Sequence, residues 1–254
     1  MAANVLDKYG IKEVADVFFY DIKDDGTMGD PVLYLDTLKV STIEQTAEQT
    51  EAKGGKGNPP LIIWDYGKEI NVTLEDALFS MKSMSIMFGD GKLGSAGNPG
   101  EQTAQTIIKT YPVSKIVGID GDNPYIQDNG IKIDLTDKKT QLDAYKTKDF
   151  ITLDLKEATK SEIEISANSF PGTYYVTGDT YARSQTTGKD EFFQFIISKA
   201  KVNSENTITM EAEGDPSVFN MSLRVLRGND GEMMKLVKYG FTNDTVKADI
   251  HTAG

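Results

Sequence analysis

Residues 38–88 read LKVSTIEQTAEQTEAKGGKGNPPLIIWDYGKEINVTLEDALFSMKSMSIMF and hold three unlike pieces in succession. A long polar run with β character comes first, then a Gly/Pro elbow, then an apolar strand entering a helix. Between Ser41 and Glu51 only Ile43 and Ala47 are apolar, yet Val40, Thr42, Ile43, Thr46 and Thr50 favour extended backbone. A strand with so little to bury is unstable alone. It needs neighbours that complete its hydrogen bonds and water against one face. Strict alternation puts Glu44, Thr46, Glu48 and Thr50 on that shared face, and a bulge near Ile43 would reverse which face it is. In the elbow Gly54, Gly55 and Gly57 free the backbone, while Pro59 and Pro60 remove amide donors and stiffen the exit. Leu61–Asn71 resumes an apolar strand carrying the only tryptophan, Trp64. Thr73 is the expected cap of a helix over 74–88, with Asp76 at the acid position of a capping box. Ala77, Leu78, Met81, Met84, Ser85 and Phe88 then recur at helical spacing until Gly89.

Outward from this stretch the chain reads mainly as β. Residues 16–22 (DVFFYDI) and 32–35 form a hairpin around an Asp/Gly-rich turn. Residues 89–100 are a Gly-rich loop, and 103–119 hold one or two strands around Pro112. Residues 125–135 form a hairpin around Asp128-Asn129-Gly130. Residues 137–148 are polar and weakly helical; 150–155 and 162–167 are short strands. Strands at 173–182, 192–202, 207–213, 218–226 and 233–239 complete a meander. In 218–226, Phe219, Met221, Leu223 and Val225 face one way and Asn220, Ser222 and Arg224 the other, which is a sheet dry on one side and wet on the other.

Composition narrows the function classes. The chain has 254 residues, a net charge of −12 and no cysteine. The absence of thiols removes disulfides, thiolate nucleophiles and cysteine metal sites together, and fits a reducing compartment. So acidic a chain lacks the basic surface that neutralises phosphates in ordinary nucleic-acid binding, although acidic surface can repel nucleic acid. No apolar run is long enough to span a bilayer as a helix, and the N-terminus reads as no signal peptide.

No catalytic set emerges. The single histidine, His251, lies four residues from the end, where chains fray, which leaves serine nucleophiles without a base. Gly89-Asp90-Gly91-Lys92-Leu93-Gly94 matches G-x-G-x-x-G, but it trails a helix instead of linking a strand to one. Asp120, Asp122 and Asn123, or Asp21, Asp24 and Asp25, read as turns and not as calcium loops. Met81, Met84 and Met87 read as the buried side of the helix. The expectation is a non-enzymatic protein with no cofactor and no metal.

The runs EQTAEQTEAKGGKGNPPLIIWDYGKEINVTLEDALFS, FFQFIISKAKV and TITMEAEGDPSVFNMSLRVLR resemble the major tail tube proteins of tailed bacteriophages. The resemblance covers roughly residues 35–90 and 170–240. It implies a two-sheet β-sandwich or barrel with one flanking α-helix, built from residues 1–89 and 161–254, with 90–160 as an insertion or outer-surface elaboration. It implies hexameric rings that stack into a hollow tube in the virion tail, assembled in the bacterial cytoplasm. DNA would pass through without specific binding and without a membrane partner. The other expected partners are tape-measure, tail-terminator and baseplate proteins, with sheath proteins added if the tail is of the contractile type, which the sequence leaves open. Carried over, strands 38–53, 206–213 and 218–226 would line the lumen through Glu44, Thr46, Glu48, Thr50, Thr207, Thr209, Glu211, Glu213, Asn220 and Ser222. Lys53, Gly54, Gly55, Lys56, Gly57, Asn58, Pro59 and Pro60 would form the inter-ring stacking loop, and 74–88 the flanking helix. The competing reading is a carbohydrate- or receptor-binding β module of a tail or surface adhesin, which calls for exposed loop aromatics; Tyr125, Tyr174 and Tyr181 are its candidates.

Overall fold

The computed structural model describes residues 8–11, 13–89, 104–159, 163, 165–208, 218–240 and 248. The chain divides into two compact units, Met1–Pro99 with Glu162–Gly254, and Gly100–Ser161. In chain order the strands are β1 (Tyr9–Ile11), β2 (Asp16–Ile22), β3 (Met28–Leu35), β4 (Leu38–Lys53) and β5 (Pro60–Asp76), followed by helix α1 (Met81–Phe88). The second unit holds β6 (Ala104–Pro112), β7 (Ile116–Val117), β8 (Tyr125–Asp128), β9 (Ile131–Asp134), a short helix α2 (Lys139–Leu142) and β10 (Phe150–Thr159). The first unit resumes with β11 (Thr173–Ser184), β12 (Asp190–Val202), β13 (Phe219–Val225) and β14 (Lys235–Tyr239). The molecule is mainly β, as its alternating segments predict, and no helix among the described residues is long and apolar enough to cross a membrane.

The first unit is one antiparallel sheet in the order β3-β2-β11-β12-β13-β5-β4, with β1 added to β11 and β14 to β12. Strand β12 is the pivot. Along one edge it pairs with β11; along the other, Phe192–Ile196 pair with β14 and Ala200–Val202 with β13. Between those segments its register slips against β11, where Ile197 and Ala200 oppose Val176 and Tyr174. The extra residue switches the inward side chains from Phe195 and Ile197 to Ala200 and Val202 and bends the strand. The two ends of the sheet thereby close over one core. It unites Val17, Phe19, Leu33 and Leu35 with Val72, Leu74, Met221, Leu223 and Val225, and Ile86 and Met87 of α1 seal it. The end strands β3 and β4 do not meet, so the arrangement is a sandwich and not a closed barrel.

Two sequence expectations fail here for tertiary reasons. Thr73, Glu75 and Asp76 do not open a helix: β5 continues to Asp76, because Asn71–Asp76 are paired with β13 on one edge and β4 on the other. Ile70, Val72 and Leu74 alternate into the core. The buried Asp76 carboxylate accepts from the Thr37 hydroxyl and, at 3.2 Å, from the Leu78 amide, which turns the chain out of the sheet. The helix begins only at Met81. Ser80 caps it, accepting from the Ser83 amide at 3.0 Å while its own amide donates to Ser83 Oγ at 2.9 Å. Leu78 and Phe79 are consequently exposed instead of facing the core, and of the three methionines Met87 alone is buried. The second failure concerns the meander, since β14 returns to β12 and not to β13.

In the second unit β6 pairs with β10, and β7-β8-β9 form a three-stranded sheet whose hairpin turns at Asn129-Gly130 as read from the sequence. Tyr111, Ile116, Ile126, Leu135, Leu142 and Ile151 form its core. Asp120 and Asp122 are engaged by Lys146 and Lys139 at 2.9 and 2.6 Å. Residues 163 and 165–167 are not strand, contrary to the expectation for 162–167; residues 162 and 164, His251 and Asp90–Gly94 lie outside the described residues.

Gly89 and Gly55 provide paired tests of this fold. Both have left-handed φ, +89° and +84°, but a Cβ on Gly89 would overlap the Phe170–Pro171 backbone, whereas one on Gly55 meets nothing within 4 Å. Gly55→Ala should lower stability by about 1 kcal/mol, the cost of the left-handed backbone alone. Gly89→Ala should cost well above that, read as the shift in urea midpoint at constant m-value.

Candidate functional site

The register of β13, β5 and β4 lays three rows of side chains on the face opposite the core. Asn220, Glu75 and Val40 form one row, Ser222, Thr73 and Thr42 the next, and Arg224, Asn71 and Glu44 the third. Thr46 and Glu69 extend the surface past the end of β13. Directly opposed residues in an antiparallel pair point the same way, so this is a continuous polar sheet face. Behind β5 and β13 lies the sealed core, which stiffens that part of the surface, whereas behind β4 Ile43 is itself 41% exposed. The face is acidic: Glu44, Glu69 and Glu75 lie on it, and Arg224 is ion-paired with Glu69.

The predicted residues distribute unevenly over this geometry. Glu44, Thr46, Asn220 and Ser222 come together on the polar face. Glu48 and Thr50 lie on the same side of β4, since its alternation is unbroken there, but they keep different company. No register slip occurs at Ile43. Slips fall instead at Leu38–Val40, where the additional residue is in β4, at Ala52–Lys53 near the turn, and at Thr46–Glu48, which oppose Glu69 and Tyr66, so the additional residue there belongs to β5. Gly67, with φ +60°, takes the bulge; a glycine inside a strand run was its sequence signal. Past the bulge, Tyr66, Trp64 and Ile62 replace the polar residues of β5 opposite Glu48, Thr50 and Ala52. Thr207 is described but not in a strand, and Thr209, Glu211 and Glu213 lie outside the described residues. Strands β13 and β4 are not neighbours: β5 stands between them.

Beyond the bulge the hairpin outruns the sheet. Strand β13 covers β5 only at Asn71–Asp76, so among the described residues Ala47–Lys53 and Pro60–Tyr66 pair only with each other. Seven residues at about 3.4 Å each project roughly 24 Å. Both faces of this arm are wet, with Leu61 65%, Trp64 50% and Tyr66 52% exposed. Lys53 closes β4, ion-paired to Glu51 at 2.9 Å, and Pro60 opens β5, so the loop proper is 54–59. Gly54 donates to the Pro59 carbonyl at 3.2 Å and Asn58 to the Gly55 carbonyl at 3.1 Å. Positive φ at Gly55, Gly57 and Asn58 makes the tight reversal possible.

The loop-aromatic candidates sit elsewhere and differently. Tyr125 is on β8 with the Lys132 ammonium 4.7 Å above its ring, Tyr174 is on β11 edge-on to the core Phe19, and Tyr181 is on β11 beside Phe192. None lies on a loop. Among the described residues no group of three or more His, Cys, Asp and Glu side chains is arranged to hold a metal ion.

The sequence matches the family model described as the YomU/Tube protein family over residues 9–238. That span includes the polar face and the whole β4–β5 arm. No curated protein matches the chain.

Trp64, the only tryptophan, reports on the arm. In dilute folded protein its emission should be that of a water-exposed indole, and iodide should quench it to a large fraction of the level reached in urea. Strong protection at high dilution would show that the arm folds back on its own molecule.

Proposed function

The chain belongs to the YomU/Tube protein family, and on that premise we propose that it is the structural subunit of a bacteriophage tail tube. Copies form rings, hexameric as the resemblance implies, and the rings stack into a hollow conduit for DNA. One observation carries the reading: a rigid, acidic, uncovered sheet face that ends in a 16-residue edge strand, β4, with one partner among the described residues. A long unpaired edge is a liability in a monomer, because its free amides and carbonyls template association. Closing it against the next copy removes the edge and continues the polar face around a ring.

The wall works passively. Glu44, Thr46, Glu69, Asn71, Thr73, Glu75, Asn220 and Ser222 present hydroxyls, amides and carboxylates to water. Carboxylates repel DNA phosphate, while screening over about 8 Å at physiological salt confines the repulsion to the wall and leaves the axis free. Arg224 is spoken for by Glu69, so the wall offers little to hold a phosphate. Glu48 and Thr50, flanked by Tyr66 and Trp64, belong instead to the arm, which with loop 54–59 reaches a neighbouring ring. The protein performs no catalysis in this reading. It resides in the virion tail after assembly in the host cytoplasm, and meets tape-measure, terminator and baseplate proteins at the tube's contents and ends. The strand location of Tyr125, Tyr174 and Tyr181 gives the carbohydrate-binding alternative no loop platform.

Electron microscopy of the purified protein should show rings or tubes of uniform bore; a monomer at every concentration overturns the assignment. In tails built with Glu44→Lys and Glu75→Lys together, folding and assembly should persist while DNA transit slows. The retarded fraction should fall steeply as salt rises, in the manner of phosphate contacts. Normal transit through tails shown to contain the variant would sink the wall assignment.

A further inference from the structure

The outer face of β3, β2, β11, β12 and β14 is unlike the polar face. Phe18 stacks on Tyr34 at 4.3 Å and 13°, Tyr20 meets Tyr175 edge-on at 6.1 Å, and Phe192 stacks on Tyr239 at 5.2 Å and 12° with Tyr181 5.5 Å from Phe192. The register brings these rows together: Tyr181 opposes Phe192, which opposes Tyr239, and Phe18 opposes both Tyr34 and Thr177. Tyr34 is 46% and Tyr181 50% exposed. In the row between lie Asp16, Asp179 and Gln194. Gln194 donates to Asp179 at 2.8 Å, and burial pushes that carboxyl above the usual aspartate range. Several of the rings lie against one another, so edges and hydroxyls point outward. A sugar needs an open ring face, whereas a ridged aromatic surface of this kind suits another protein sheet.

We propose that this aromatic face is the seat on which the β4–β5 arm of a second copy lies, with the Ile62-Trp64-Tyr66 side against the rings. The inference rests on the self-assembly reading and names where the arm lands. Three observations favour this occupant. The arm and the seat are both apolar and wet in the single chain, with Ile62, Trp64 and Tyr66 each about half exposed. That side of the arm leaves on the order of 350 Å² of apolar side chain uncovered, against about 800 Å² per partner in a standard interface, and the remainder must come from the loop and the polar neighbours. The charges also match: Lys56 stands at the arm's tip, and the seat holds Asp16 and Asp179, the second accepting from the Gln194 amide. Two different patches meeting in this way make a heterologous contact, which propagates from copy to copy without closing as a dimer. The Gly67 bulge serves the same end, since a bulge adds twist and re-aims the arm away from the plane of the wall.

The cysteine-free chain makes the contact testable. Trp64→Cys would be combined in one chain with Tyr34→Cys, or with Tyr181→Cys, and treated with a short bismaleimide under assembly conditions. A control would combine Trp64→Cys with Phe79→Cys, at the exposed apolar end of the polar sheet. A ladder of covalent oligomers from the first pairs, absent from the control, is the expected result. Tubes that form without that ladder, or a ladder from the Phe79 pair, overturn the seat and leave the tube reading standing. Failure of the unmodified protein to assemble at all removes the tube reading and the seat with it. Independently, Tyr34→Ala with Tyr181→Ala should raise the concentration needed for assembly by roughly tenfold or more, with the monomer's circular dichroism unchanged; an unchanged threshold also overturns the seat.

Discussion

Six residues of β5, Asn71 to Asp76, are hydrogen-bonded along both edges, to β13 on one side and β4 on the other. The rest of the molecule follows from that double ladder. It pins Val72 and Leu74 into the core and so turns Asn71, Thr73 and Glu75 outward, because strand side chains alternate. It sets the rows that join Asn220, Ser222 and Arg224 to Thr42 and Glu44. It also decides where the helix starts: while both ladders run, the backbone amides of 73–76 are already satisfied and unavailable to a helical turn. Only after Asp76 catches the Leu78 amide can Ser80 cap α1.

Of the register slips in the first unit, two matter most here, one in β12 and one in β5. The slip in β12 swaps its inward parity and lets a single sheet fold over itself, which is how one sheet makes two layers around one buried core. The bulge at Gly67 divides the hairpin into a wall segment and an arm. On the wall side β5 offers Glu69, Asn71 and Thr73; on the arm side it offers Tyr66, Trp64 and Ile62 to the same face. Without the additional residue, Asp65 and Ile63 would have occupied that face. A polar face and an apolar arm in one strand pair each leave exposed what an isolated sheet would cover, an unpaired edge on one and apolar side chains on the other.

Much of the polar side of the sheet was legible beforehand. Unbroken alternation in β4 put Glu44, Thr46, Glu48 and Thr50 together, and alternation in β13 separated Asn220 and Ser222 from Met221 and Leu223. The turn chemistry of Asn129-Gly130 and of the Gly54–Pro59 elbow was equally plain, because left-handed backbone demands glycine or asparagine. What the wall lost in the sequence reading were its partners. Glu69, Asn71 and Thr73 belong to a run that looked apolar at one end and helical at the other, and Arg224 gains meaning only from Glu69, 155 positions away.

By itself, then, the sequence determined the β character, the acidic surface without thiols, and the two-faced strands, since these depend on composition and on a period of two. Tertiary structure decided where β5 ends, which strand lies beside which, and that Leu78 and Phe79 face water. The reason is physical. Helical spacing in 74–88 is a local preference worth tenths of a kcal/mol per residue, and it yields to two hydrogen-bonded ladders and a buried strand face that exist only after β4 and β13, distant in the chain, have come alongside.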